Sequence, residues 1–155
     1  MILGGIGLVL AVLFMPGVVL AHEPRLGPIP ASVLRVVDGD TIEVMAHIWI
    51  GHTVTTRVRL EGIDTPELPG RCAAEKSKAQ AARLLVQEII RGAPVLLHGV
   101  RSGKYAGRVI AEVTTQEGIN VGQALLDEHL ARPYGGGKRY TWCDGKIPGS
   151  LPVLP

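Results

Sequence analysis

The sequence predicts a small α+β domain, mainly β, on three observations. Three β-like runs lie between Val33 and Leu60, separated by turn signals. From Ala73 to Arg91 the chain is rich in Ala, Lys, Gln and Leu, and Ala79, Ala82, Val86, Ile89 and Ile90 fall near one helical face. Two more short apolar runs and a second helical stretch follow. The order β-β-β-α-β-β-α suits a five-stranded Greek-key barrel with a helix between its third and fourth strands.

Each element has a local cause. Val33 to Val37 is a β-branched run ending at Asp38-Gly39, a hairpin signal. Thr41 to Ile50 continues as strand, with apolar Ile42, Val44, Ile48 and Ile50, and Gly51-His52 turns it back. Thr53 to Leu60 alternates Val54, Thr56, Val58 and Leu60 against Thr55, Arg57 and Arg59, a half-buried antiparallel strand with both arginines on its polar side. Pro66 and Pro69-Gly70 close this β region. Gly92 is a suitable stop for the helix. Pro94 to Leu97 and Arg108 to Thr115 read as strands. Asn120 with Gln123 resembles a capping box for a helix through Leu125, Leu126 and Leu130 that Pro133 ends.

Residues 1–21 carry no charged side chain, and Val19-Leu20-Ala21 fits the cleavage pattern of a secretory signal peptide ahead of His22-Glu23-Pro24. No basic residue precedes the apolar core, which keeps an uncleaved N-terminal membrane anchor as the alternative. The first reading makes the protein secreted or periplasmic; the second makes it membrane-anchored, facing outside. A linker over 22–31, a domain over 32–134 and an irregular tail over 135–155 would follow. The net charge of +2 is too mild to imply a nucleic-acid partner. Cys72 and Cys143 are the two cysteines, and in an oxidising compartment such a pair suggests a disulfide, with two unpaired thiols as the alternative. Neither cysteine has zinc-site spacing. The five histidines show no paired metal spacing and no phosphate-binding glycine loop is present, so a histidine-metal nuclease and a nucleotide hydrolase lack support.

The chemistry concentrates in Asp38-Gly39-Asp40-Thr41 and in Arg57-Val58-Arg59-Leu60-Glu61-Gly62-Ile63-Asp64-Thr65-Pro66-Glu67. Alone, the first is an ordinary tight turn and the second a common strand exit. Together they change meaning. Pairing the first hairpin with the strand of Arg59 brings Asp40 and Asp64 to one barrel rim, where two carboxylates repel unless a cation sits between them. Carboxylates for a hard cation beside guanidinium groups for a phosphate point to metal-assisted cleavage of phosphodiesters. Arg57 reads as a solvated neighbour of Arg59.

These stretches resemble the staphylococcal-nuclease-like (thermonuclease) family, from about Val33 to Tyr134. Ser102-Gly103-Lys104-Tyr105-Ala106-Gly107-Arg108-Val109 resembles the family's Asp-x-Tyr-Gly-Arg, with Ala106 inserted and Gly103 in place of the aspartate. The resemblance implies an OB-fold, the five-stranded Greek-key barrel with two or three helices. It implies Ca2+ held by Asp40, Asp64 and the carbonyl of Thr65, with Asp38 in an outer shell. Glu67 matches the glutamate that takes or orients the proton of the attacking water, and Arg59 and Arg108 match the phosphate-binding arginines. Lys104, Tyr105 and Tyr134 fall on the substrate side, whereas Trp49 and Trp142 read as packing or tail anchors.

The implied activity is an exported, calcium-dependent endonuclease that hydrolyses phosphodiester bonds of DNA and RNA with little sequence preference. The alternative is a non-catalytic nucleic-acid-binding module on the same fold. The irregular loop around Tyr105 and an aromatic content of 4% favour the module. The complete set of Arg59, Asp40, Asp64, Glu67 and Arg108 favours the enzyme. No stable protein partner is implied, and a monomer is expected.

Overall fold

The computed structural model describes residues 26–143. The segment read as a signal peptide or anchor, and the chain beyond Cys143, lie outside the described residues. Among the described residues no helix is long and apolar enough to cross a membrane.

Strands β1 (Ile29–Asp38), β2 (Thr41–Trp49) and β3 (His52–Leu60) form a meander. The two-residue β4 (Ile63–Asp64), helix α1 (Ala73–Ile90), β5 (Val95–Ser102), β6 (Arg108–Thr115), helix α2 (Val121–Asp127) and β7 (Arg132–Pro133) follow. A closed barrel forms in the order β1-β2-β3-β6-β5, antiparallel throughout except for the parallel β3–β6 pair. This is the OB-fold expected, with two helices among the described residues.

Three boundaries differ from the sequence reading, one of them at β5, which runs five residues past Leu97 to Ser102. β1 begins at Ile29, ahead of Val33, and its first residues Ile29–Ala31 pair with Leu97–Val95 to close the barrel. Pro28 and Pro30 mask that strand in the sequence, but proline is tolerated where a strand starts. The second helix ends at Asp127, well before Pro133. His129 adopts φ 54°, and the N–H groups of Leu130 and Ala131 both donate to the Leu125 carbonyl, which turns the chain without a proline.

Strand alternation sends Ala31, Val36, Ile42, Val44, Val58, Leu60, Val95, Leu97, Ala111 and Val113 inward. Each large aliphatic among them contributes roughly 1.5–3 kcal/mol through burial. Helix α1 adds Ala82, Val86 and Ile90 to this core, and α2 adds Val121 and Leu125. Cys72 caps α1, its sulfur accepting from the Glu75 N–H at 3.4 Å, while the Glu75 carboxylate accepts from the Arg71 N–H at 2.7 Å. The β1–β2 turn packs so tightly on α1 that a Cβ on Gly39 would stand 2.6 Å from the Ala82 methyl and 3.1 Å from Thr65. Glycine is therefore required there, and the contact holds Asp38 and Asp40 against the segment that carries Asp64.

Candidate active site

Pairing of β2 with β3 sets Thr41 opposite Arg59, which places the β1–β2 turn beside the end of β3. The Leu60 N–H donates to the Asp40 carbonyl at 2.8 Å and locks the turn there. Chain reversal through Gly62 then returns β4 along β7, with Asp64 opposite Arg132. Asp40 and Asp64 are thereby brought together, 3% and 1% exposed.

Charged carboxylates at that depth need partners. Asp40 Oδ1 accepts from the Thr41 hydroxyl at 2.8 Å, and Oδ2 accepts from the Thr65 N–H at 3.3 Å. Arg59 joins the two aspartates, Nη1 at 2.8 Å from Asp40 Oδ2 and Nη2 at 3.6 Å from Asp64 Oδ1, and donates to the Ile63 carbonyl at 3.3 Å. On Asp64 Oδ2, Arg132 places Nη2 at 3.0 Å and Nε at 3.2 Å. Arg139 completes the set, with Nε 3.1 Å from Asp64 Oδ1 and Nη1 on the carboxylate of Glu67. Burial works against charge on Arg139, but Asp64, Glu67 and Asp40 outweigh it and raise its pKa.

Asp38 stands at the edge of this cluster. Burial, then the charges of Asp40 and Glu67, push its pKa up, against the Leu68 N–H and Arg83. Glu67 lies at the exposed mouth. There a cleft of about 580 Å³ is lined by Arg59, Glu67, Lys104, Tyr105, Arg108, Tyr134 and Arg139. The Arg108 guanidinium lies over the Tyr105 ring, 5.2 Å from its centroid, and Lys104 Nζ is 5.9 Å from the same ring. Ala106 therefore does not displace Tyr105 from the cleft. Gly103 has its own reason: its N–H donates to the Arg108 carbonyl at 3.0 Å, and a Cβ there would stand 2.5 Å from that oxygen. Tyr134 lies between Arg59 and Arg139, about 6.0 and 5.9 Å from ring centroid to guanidinium.

The residues present suit a hard divalent cation. Asp64 Oδ1 is buried and accepts no aligned hydrogen bond although two guanidinium groups lie near it, and the buried Thr65 hydroxyl oxygen lacks a partner as well. A buried carboxylate oxygen with no aligned hydrogen bond, beside a second carboxylate and with no nitrogen or sulfur ligand among them, suits the oxygen-ligand chemistry of a hard cation such as calcium. A second cluster, Cys72, Glu75 and Cys143, brings ligand atoms within 4.8 Å of one another, but its sulfurs are joined in a disulfide with Cα atoms 6.0 Å apart and supply no thiolate.

Arg59, Glu67, Arg108, Lys104, Tyr105 and Tyr134 line the cleft, the buried Asp40, Asp64 and Thr65 reach it through Arg59 and Arg139, and Asp38 lines an adjoining cleft with Tyr105 and Arg108. Arg57 stays exposed on β3. Trp142 anchors the tail, its ring 4.3 Å from the Arg132 guanidinium and 5.6 Å from Lys78 Nζ. Trp49, expected to pack or anchor the tail, is instead 74% exposed at the β2–β3 turn. Arg132 was not legible as a site residue, whereas Arg139 belongs to Gly135-Gly136-Gly137-Lys138-Arg139, which reads in the sequence either as a flexible basic loop touching phosphates or as a solvated charge cluster in a tail. Cys143 is a further signal for both, since its bond returns that tail to the neighbourhood of Glu67.

A family model described as staphylococcal nuclease homologue matches residues 57–142. Proteins named "Uncharacterized endonuclease" from Escherichia coli and from Escherichia coli O157:H7 are each 30% identical over 106 residues, 68% of this chain. The chain spans 61% of the length of those curated relatives. Asp38 and Asp40 precede the stretch matched by the family model, and the β1–β2 pairing brings them to it. A match over more than half the chain, containing Arg59, Asp64, Glu67 and Arg108, shows that this protein belongs to the staphylococcal nuclease homologue family.

Proposed function

We propose that the protein is an exported, calcium-dependent nuclease that hydrolyses phosphodiester bonds of DNA and RNA with little sequence preference. The observation that carries the reading is the pair of buried carboxylates, Asp40 and Asp64, tied by Arg59 at the wall of a cleft shared with Glu67 and Arg108. Calcium bound by Asp40, Asp64 and the Thr65 carbonyl would neutralise charge on the phosphoryl group and orient the water. Arg59 and Arg108 hold the phosphodiester and stabilise charge that grows on its oxygens. Glu67 holds and orients the proton of the attacking water at the cleft mouth. Tyr105 and Tyr134 offer ring faces to bases without reading their edges, which supports low sequence preference. Asp38 acts on the metal site from behind Asp40.

Export is supported by the apolar segment 1–21 and by the Cys72–Cys143 disulfide, a bond that persists in oxidising compartments. N-terminal sequencing of exported protein tests it: a start at His22 supports signal cleavage, and retention of Met1 supports the anchor. The activity is tested on single-stranded DNA with calcium, with excess chelator, and with Glu67→Gln. Calcium-dependent cleavage that collapses in the variant is expected. Binding of DNA without cleavage by the folded wild-type protein would leave a nucleic-acid-binding module instead.

A further inference from the structure

The segment from Arg132 to Cys143 crosses the mouth of the cleft as a strap fixed at both ends. At its start β7 pairs with β4, and the Tyr134 N–H donates to the Gly62 carbonyl at 2.8 Å. At its end Cys143 is bonded to Cys72 at the head of α1, and Trp142 lies on Arg132. Between these anchors run Gly135-Gly136-Gly137, with φ of 103° at Gly136 and 92° at Gly137, which leave Lys138 and Arg139 on an adaptable stretch. The Tyr134 hydroxyl donates to the Gly137 carbonyl at 2.8 Å and folds that stretch toward the carboxylates.

Three guanidinium groups surround Asp64, and they are not equivalent. The side chains of Arg59 and Arg132 are 11% and 13% exposed, whereas that of Arg139 is 36% exposed. Arg132 makes two hydrogen bonds to Asp64 Oδ2, but Asp64 Oδ1, which faces Arg139, accepts none. A divalent cation on the carboxylates would add charge where three arginines already sit. Arg59 and Arg139 both approach Asp64 Oδ1 without an aligned hydrogen bond, but Arg59 is also tied to Asp40 at 2.8 Å, whereas Arg139 is the most exposed of the three and the one on a glycine stretch. It also lines the cleft with Arg59 and Arg108.

We propose that Arg139 is an exchangeable guanidinium: it occupies Asp64 and Glu67 when no cation is bound, and binds the phosphodiester once calcium takes the carboxylates. The inference rests on the nuclease reading of this cleft and adds a third phosphate-binding arginine, supplied by the disulfide-anchored strap. Arg139 thus competes with calcium in the free protein and cooperates with calcium in the complex. In the free protein it also pairs with the carboxylate of Glu67.

Two binding measurements on the purified, disulfide-intact protein test this. In calcium titrations by calorimetry without DNA, Arg139→Gln is expected to bind calcium about tenfold more tightly than wild type, the size of one charge-assisted hydrogen bond removed from a competitor. In saturating calcium, the same variant is expected to bind a nuclease-resistant phosphorothioate oligonucleotide about tenfold more weakly. Arg139→Lys, which keeps the charge without the planar fork, should fall between. Wild-type affinity of Arg139→Gln in either measurement, or no calcium binding by the wild-type protein, overturns the proposal. Both measurements are made without turnover. If the wild-type protein binds calcium and DNA yet cleaves neither DNA nor RNA, the nuclease reading falls and the competition is still read.

Discussion

Arg59 Nη1 lies 2.8 Å from Asp40 Oδ2 while its Nη2 lies 3.6 Å from Asp64 Oδ1, so one planar guanidinium joins the β1–β2 turn to the segment after β3. Both aspartates are buried, and without calcium the arginine supplies much of their countercharge. Arg59→Ala is therefore expected to lower the stability of the calcium-free protein by about 2 kcal/mol, less than the usual cost of breaking a buried pair because Arg132 remains on Asp64. Calcium should recover most of that loss, since the cation takes over the same carboxylates. The measurement is urea unfolding in chelator and in calcium; equal losses in both would show that arginine and cation do not share the site. Arg59→Lys should lower kcat/KM by about 100-fold or more, because an ammonium cannot reproduce the fork.

Gly39 sits in the β1–β2 turn and packs against α1. A methyl at this position would meet the Ala82 methyl at 2.6 Å, and neither the turn nor the helix backbone can yield without moving Asp40. Gly39→Ala is expected to destabilise the protein by about 1–3 kcal/mol through overpacking. Removing the opposing methyl gives a sharper test. Ala82→Gly alone costs about 1 kcal/mol of helix propensity, yet in the Gly39→Ala background it should recover part of the loss. Strict additivity in a four-variant thermal or urea series would place the strain elsewhere, Thr65 being the next atom group in reach.

The barrel was legible because its signals are local. Period-two patterning over Thr53 to Leu60, the Asp38-Gly39 turn and the alanine-rich face of α1 each depend on neighbours in sequence. Asp40, Asp64 and Arg59 were legible for a related reason: they sit at the ends of those elements, so pairing the strands brings them together, whereas Glu67 was singled out by the family resemblance. The contacts of Arg132 with Asp64 and of Arg139 with Glu67 were not legible, because they arise at separations of 68 and 72 residues that no periodicity encodes. Gly103, an apparent departure in the sequence, acquires its reason only from the approach of the Arg108 carbonyl. The prolines near Ile29 likewise read as a linker until β5 is seen to pair with that segment.

The Cys72–Cys143 bond closes a sequence separation of 71 residues, from the head of α1 to the strap. Replacing both cysteines by serine is a clean probe, because serine at position 72 retains an acceptor for the Glu75 N–H that Cys72 Sγ now receives. The double variant is expected to lose about 2–4 kcal/mol of stability in urea unfolding, mainly by freeing the unfolded chain. It should also raise KM for DNA more than it changes kcat, since the strap keeps its β7 anchor and loses only the one beyond Arg139. A variant as stable as wild type would show that the bond adds nothing to the fold.

Asp38 gives the pH dependence its sign. Its folded-state pKa is raised, first by burial, then by Asp40 and Glu67, over the opposition of the Leu68 N–H and Arg83. Between the ordinary carboxyl pKa and the raised one, the folded protein holds more protons than the unfolded chain, so stability falls as pH rises through that window. Above it the whole penalty of a charged Asp38 is present; below the ordinary value it vanishes. Asp38→Asn should accordingly stabilise the calcium-free protein at pH 7, and the gain should shrink as the pH falls from the raised pKa to the ordinary one and be absent below it. Urea midpoints of the two proteins in chelator, taken across the acid range, decide the matter. A gain that persists undiminished at low pH would mean that the asparagine acts through packing or hydrogen bonding and not through the charge it removes.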